Sequence, residues 1–198
     1  MEKKIPIRYA SLNLENSEME FKEKGINAIA LVDSPAMLTE WLMFSEQKSY
    51  EFKMAFNEEQ KIITAPLIVA DLPILRIVDN EEFYVVYKKD VNMQILQKYM
   101  ADQNQKKVKL THDTDKISKG VFVFEIFMSD ESRGIVQPKG FDLPDGTIFC
   151  SMKINDTQIW NDIKTKKVNG ISLEGYFDLE QKTVLDENEI EAIIKEII

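Results

Sequence analysis

Lys61-Ile62-Ile63-Thr64-Ala65-Pro66-Leu67-Ile68-Val69 opens the stretch whose reading decides the fold. Apolar and β-branched residues dominate it and predict a strand. Asp71-Leu72-Pro73 and Asp79-Asn80 read as turns, and Phe83 to Tyr87 as a second short strand. Asp90 then has the character of a helix N-cap. Val91, Ile95, Leu96, Tyr99 and Met100 recur at helical spacing, which predicts an amphipathic helix over 91–102.

Toward the N-terminus, residues 1–24 are polar and mixed, and read as a leading arm or irregular segment. Gly25 introduces Ile26-Asn27-Ala28-Ile29-Ala30-Leu31-Val32, a strand ended by Asp33-Ser34-Pro35, because Pro35 cannot donate to a ladder. Residues 36–60 mix Trp41, Phe44, Tyr50, Phe52 and Phe56 with charge and leave their type open.

Toward the C-terminus, Lys107 to Asp113 is β-like. Gly120 to Met128 is almost wholly apolar and reads as a central strand buried on both faces. Pro138, Gly140, Pro144 and Gly146 mark a loop, and Thr147 to Ile154 a further strand. Asp156 to Lys167 begins acidic and ends basic, which suits a helix dipole. Val168 to Leu179 reads as a strand. Ile190, Ile193, Ile194, Ile197 and Ile198 form one stripe on a last helix, either docked on the core or sealing a dimer. The expected architecture is α+β, with about six to eight strands in an antiparallel or mixed sheet and about three helices.

The composition narrows the function class. Hydrophobic content of 44% and charged content of 30% are those of an ordinary globular protein. No apolar run approaches the roughly 20 residues of a membrane span. The first residues lack the apolar region of a signal peptide, and a single cysteine, Cys150, suits a reducing cytoplasm. A net charge of −9 argues against a nucleic-acid partner, since phosphate contacts need a basic surface. Lys106, Lys107 and Lys109, and later Lys164, Lys166 and Lys167, are basic spots read as solvated faces.

With one histidine in the chain, His112 is the obvious group for acid–base chemistry near neutral pH. Strand alternation puts Val108, Leu110 and His112 on one face, with Lys107, Lys109 and Thr111 on the other. His112 thus follows an apolar face inward, as a positioned base or as a core or sheet-edge histidine bonded to a carbonyl. Asn169-Gly170-Ile171-Ser172-Leu173-Glu174-Gly175 holds the candidate nucleophile, Ser172, on one face with Gly170 and Glu174. Its glycines would leave a groove for a peptide, or mark a bulge beside a solvent-facing serine. A serine hydroxyl needs a base within hydrogen-bond reach to become nucleophilic.

Rival constellations are weaker. Cys150 alternates with Ile148, Met152 and Ile154 as a buried thiol does, and Ser151 lacks a glycine context. Asp113 and Asp115 beside one histidine make a poor zinc set. No phosphate-cradling loop or dinucleotide fingerprint occurs, and no cofactor is expected.

Taken in order, several stretches resemble the phage prohead, or capsid-maturation, serine proteases, in particular those assigned to defective prophage elements. They are Gly25 to Ala36, Lys61 to Arg76, Phe83 to Asp90, Val108 to Asp113, Phe141 to Thr147, Met152 to Ile154 and Val168 to Gly175. The likeness covers residues 25–180 and leaves 1–24 as an arm and 181–198 as a C-terminal helix. It implies a β-barrel-like sheet wrapped by helices, distantly like the herpesvirus assemblins. The implied activity is endoproteolysis of phage scaffold and major capsid proteins in the assembling prohead, within the host cytoplasm, with a homo-oligomer as a further option.

The family's base falls on His112 and its nucleophile on Ser172. Its carboxylate sits in a Glu-Val-Ser-Leu-Val-x-x-Pro-Ala-like stretch. The similar stretch here, Ala28 to Ala36, carries Ala28 at the glutamate's place and lies at the N-terminal end. Asp33, then Asp113, then Glu174 are the replacements in order of preference. Arg133 is either a groove residue or an exposed loop arginine. Two other readings compete: a catalytically inactive protease fold working as a structural or assembly part of the phage head, and an unrelated acidic α+β binding module.

Overall fold

Asp79 and Asn80 adopt φ of 52° and 65°, the pair of positive values that a two-residue hairpin turn demands. They join β5 (Ile74–Val78) to β6 (Glu81–Val86), with Val78 opposite Glu81. The computed structural model describes residues 4–12, 24–33, 55–57, 60–110 and 118–197. Around the hairpin lie β1 (Lys4–Ser11), β2 (Gly25–Val32), β3 (Ala55–Asn57) and β4 (Ile62–Ile68). After it come α1 (Lys89–Ala101), β7 (Val108–Leu110), β8 (Val121–Met128), β9 (Ile148–Ile154), α2 (Thr157–Lys164), β10 (Gly170–Tyr176), β11 (Asp178–Asp186) and α3 (Glu187–Ile197).

The class is α+β. The strands form two four-stranded sheets, β11-β1-β6-β5 and β3-β4-β9-β8, and a three-stranded sheet, β10-β2-β7. The first and last of these mix parallel and antiparallel pairs, because β1 runs parallel to β6 and β2 parallel to β7. Among the described residues no sheet closes on itself, so the expected barrel gives way to three open sheets, with more strands than the six to eight expected. All three contribute to one core, with Ile5 and Ile7 from β1, Ile29 and Leu31 from β2, Ile63 from β4, Ile95 and Tyr99 from α1, and Met152 from β9. Each such fully buried side chain contributes about 1.5–3 kcal/mol of transfer free energy.

Several elements differ from the sequence reading. Residues expected as an irregular lead contain β1, which sits between β11 and β6. A bulge between Ile7 and Arg8 explains why its period was illegible, since the inward residues become Ile5, Ile7 and Ala10. Arg8 turns outward onto Glu81 at 2.9 Å, its guanidinium 3.9 Å from the Phe83 ring centroid. The strand expected to be buried on both faces, β8, is an edge strand with Phe122 and Phe124 exposed. The strand buried on both faces is β9, next to it. Asp90 lies inside the first turn of α1 rather than at its cap, which is Lys88.

The two remaining helices lie where the sequence placed them, held by caps it did not announce. Asp156 caps α2, its carboxylate accepting from the Ile159 N–H at 2.9 Å. At α3, Asp186 and Glu189 bond each other's backbone N–H reciprocally, a capping box, and Ile190 and Ile194 are buried.

Candidate functional site

Ser172 stands in the middle of β10, 8% exposed, directly opposite Ala30 of β2. Ala30 in turn pairs with Lys109 of β7. Laterally paired residues share a face of a sheet, so Ser172, Ala30 and Lys109 lie in one row. Glu174, opposite Ala28, belongs to the same face. There Lys109 Nζ meets Glu174 Oε2 at 2.7 Å across the two alanines, both side chains about one-fifth exposed. A residue larger than alanine at 28 or 30 would stand between them. The resulting surface holds a serine hydroxyl, an ammonium and a carboxylate over a floor of methyl groups. Among the described residues, none hydrogen-bonds the Ser172 hydroxyl.

The opposite face carries Ile29, Leu31, Ile171 and Val108, all in the core, with Leu110 and Leu173 packed against it. The face on which alternation grouped His112 with Val108 and Leu110 is therefore the one turned away from Ser172. His112 itself, with Asp113 and Asp115, lies outside the described residues. Asp33 is exposed in the bend that follows β2. Its backbone carbonyl accepts from Asn169 Nδ2 at 2.9 Å, while the Asn169 N–H reaches the Val32 carbonyl, so this bend locks the end of β2 to the start of β10, three residues before Ser172.

Gly175 takes the second of the two roles that its sequence context offered, that of marking a bulge. A Cβ there would lie 2.1 Å from the Gly25 carbonyl oxygen, where the ladder shifts register after Glu174. The missing side chain admits the neighbouring strand, not a substrate. Lys109 was the residue the sequence reading missed. It passed for a solvated charge, and only the register of β7 against β2, which no local pattern encodes, reveals its partner on β10.

The rival residues are accounted for structurally. Cys150 is buried, and desolvation pushes its thiol far above the ordinary range. The Ser151 hydroxyl donates to Glu125 at 2.8 Å and lies 2.9 Å from that of Thr64, forming a cross-strand chain over β8, β9 and β4. Arg133 Nε bonds Asp130 at 2.7 Å from a half-exposed position.

Asp130 anchors a second polar cluster at the start of α1. Lys89 Nζ bonds Asp130 at 2.9 Å and Asp145 at 2.5 Å, Ser132 Oγ bonds Asp130 at 2.7 Å, and the Glu131 N–H reaches Asp145 at 3.0 Å. The Ser132 hydroxyl and the Lys89 ammonium hold the Asp130 carboxyl well below the usual carboxylate range, and Lys89 lowers Asp145 too. Both carboxylates raise Lys89, Asp145 most.

Away from Ser172, a groove of about 610 Å³ runs between β1, β11 and the start of α1. The Lys88 and Lys182 ammonium groups stand 5.4 and 5.7 Å from the centroid of the Tyr9 ring that lines it. Lys88 is itself paired with Asp71 at 2.5 Å. Among the described residues no group of three or more histidine, cysteine or acidic side chains could hold a metal ion, and no helix is long and apolar enough to cross a membrane. No family model, curated protein or solved structure matches the chain, so the site stands on its own geometry.

Proposed function

We propose that the chain is a serine endopeptidase of the prohead-protease type, cleaving scaffold and capsid proteins during phage head maturation. The observation that carries this reading is Ser172, a residue 8% exposed whose hydroxyl no described residue bonds, set beside a lysine–glutamate pair on one sheet face. The order of sequence segments that resembles the prohead proteases supplies the substrate class. The finer assignment of the fold is assemblin-like.

The chemistry is acyl transfer. Ser172 Oγ attacks the scissile carbonyl as His112 takes its proton. Backbone N–H groups hold the oxyanion, and the tetrahedral intermediate expels the amine, which receives that proton. Water then attacks the acyl-enzyme, with His112 again the base. This releases the carboxylic acid and restores the hydroxyl.

Co-expression with phage capsid and scaffold proteins, with protein termini read by mass spectrometry, tests the reading. Defined new termini with the wild type, lost in both Ser172→Ala and His112→Ala, are expected. Uncleaved partners in particles that assemble around the wild-type chain would replace the proposal with a structural role.

A further inference from the structure

We infer that Asn169, at the bend that ties β2 to β10, is a self-modification site: attack by the Gly170 backbone nitrogen converts it to aspartate and isoaspartate and releases the tie. Nothing in this depends on the proteolytic reading above.

The reaction is written in the sequence. The Gly170 nitrogen gives its proton to solvent base and attacks Asn169 Cγ. As the new N–Cγ bond closes a succinimide ring, the Cγ–Nδ2 bond breaks and ammonia leaves, taking a proton back from solvent. Water then opens either imide carbonyl. One opening gives aspartate, and the other gives isoaspartate, with the main chain rerouted through Cγ. One water enters, one ammonia leaves, and no oxidant or cofactor is needed. A side chain on the following residue would hinder the attack, and glycine has none. Asn169 is the one asparagine in the sequence that precedes a glycine.

The fold leaves the reacting amide accessible. Asn169 is exposed and lies between α2 and β10, outside both. Its Nδ2 donates to the Asp33 carbonyl at 2.9 Å, on the surface, and among the described residues nothing bonds its Oδ1. Lys164 and Lys166, exposed just upstream, bring positive charge that favours the anionic nitrogen and the oxyanion formed on attack. The chain's other pair of this kind, Asp145-Gly146, is shut. Lys89 and the Glu131 N–H hold the Asp145 carboxylate, which stays ionised and is a poor electrophile. The Gly146 N–H is committed to the Ser129 carbonyl at 2.9 Å.

The restraint on Asn169 is the tie itself. Its N–H reaches the Val32 carbonyl and Gly170 pairs opposite Val32, so the Gly170 nitrogen reaches Cγ when this strand end opens. Openings at such ends cost far less than global unfolding. Reaction then removes the tie. A carboxylate has no proton for the Asp33 carbonyl and repels it, and isoaspartate adds a methylene to the main chain directly ahead of β10.

The test ages the full chain in mildly alkaline buffer and follows each asparagine by peptide mass spectrometry, with isoaspartate read by a protein isoaspartyl methyltransferase. Asn169 is expected to convert first, with isoaspartate in excess over aspartate and a rate that rises in proportion to hydroxide. Gly170→Ala should slow conversion at least about tenfold, in buffer and again in urea, where the fold's response to the methyl no longer matters. The aged fraction, separated by ion exchange, should melt below the fresh chain. Asn169→Gln, whose longer side chain closes a ring far more slowly, should keep its melting temperature through the same incubation.

Earlier conversion of another asparagine, a product free of isoaspartate, or wild-type conversion of Gly170→Ala in urea would overturn the inference. So would no conversion of Asn169 in buffer over about 100 times its half-time in urea. An aged fraction that melts with the fresh chain, or an equal fall in Asn169→Gln, would overturn the release of the tie.

Discussion

Two polar clusters in this molecule are built from similar side chains and differ in how they are finished. Around Asp130, the two carboxylates of the cluster collect a lysine, an arginine, a serine hydroxyl and a backbone N–H. That cluster is closed: it ties the loop before β9 to the first turn of α1. On the β10-β2-β7 sheet, Lys109 and Glu174 bind each other and leave beside them a serine hydroxyl that no described residue engages. Polar groups that satisfy one another stabilise a connection, whereas a nucleophile beside a fixed charge pair can serve a reaction. The contrast lies in completeness, not in composition.

The comparison breaks most severely at Gly175. Gly175→Ala would drive a methyl into the Gly25 carbonyl and pry β10 from β2. Urea unfolding is expected to show a loss at or above about 3 kcal/mol, the upper end for overpacking. A loss below about 1 kcal/mol would mean that the β2–β10 ladder yields easily.

Ala30→Leu attacks the floor between Ser172 and Lys109. It should cost about 1–3 kcal/mol and also slow fluorophosphonate labelling of Ser172. Unchanged labelling would show that the lysine and glutamate work apart from the serine.

The smallest effect concerns the closed cluster. Asp130 and Asp145 have folded pKa values below their ordinary 3.8. The unfolded state therefore binds more protons as pH falls through that ordinary range. The stability these carboxylates contribute is fully present above it and declines toward their lower folded values. Thermal melts of wild type and Asp130→Asn should differ most at pH 7, with the gap narrowing steadily as pH falls from about 4 toward 2. A gap that does not narrow over that range would locate the effect in packing.

Much of this was legible where the signals are local. The turn at Asp79-Asn80, the helix beginning beside Asp156 and the apolar strands β2 and β9 each depend on a few neighbouring residues, and each appears in the structure. What could not be read depends on partners remote in sequence. The bulge at Ile7/Arg8 broke the period of β1. The apolar run of β8 gave no hint that its phenylalanines face outward at a sheet edge. At the candidate site, alternation grouped Ser172 correctly with Glu174. Yet the meeting of Lys109 with Glu174 required the pairing of three strands that begin at residues 25, 108 and 170.

The position of β1 has a consequence in time. Lys4 pairs with Asp186, so β1 finds one of its partners about 180 residues further along the chain. At about 5–20 residues per second, the ribosome takes roughly 10–40 s to deliver β11 after β1 has been made. During that interval β1 carries an unmatched edge and two buried isoleucines, Ile5 and Ile7, without their final cover. A nascent chain of this design is committed to waiting, and its hazard lasts until β11 emerges.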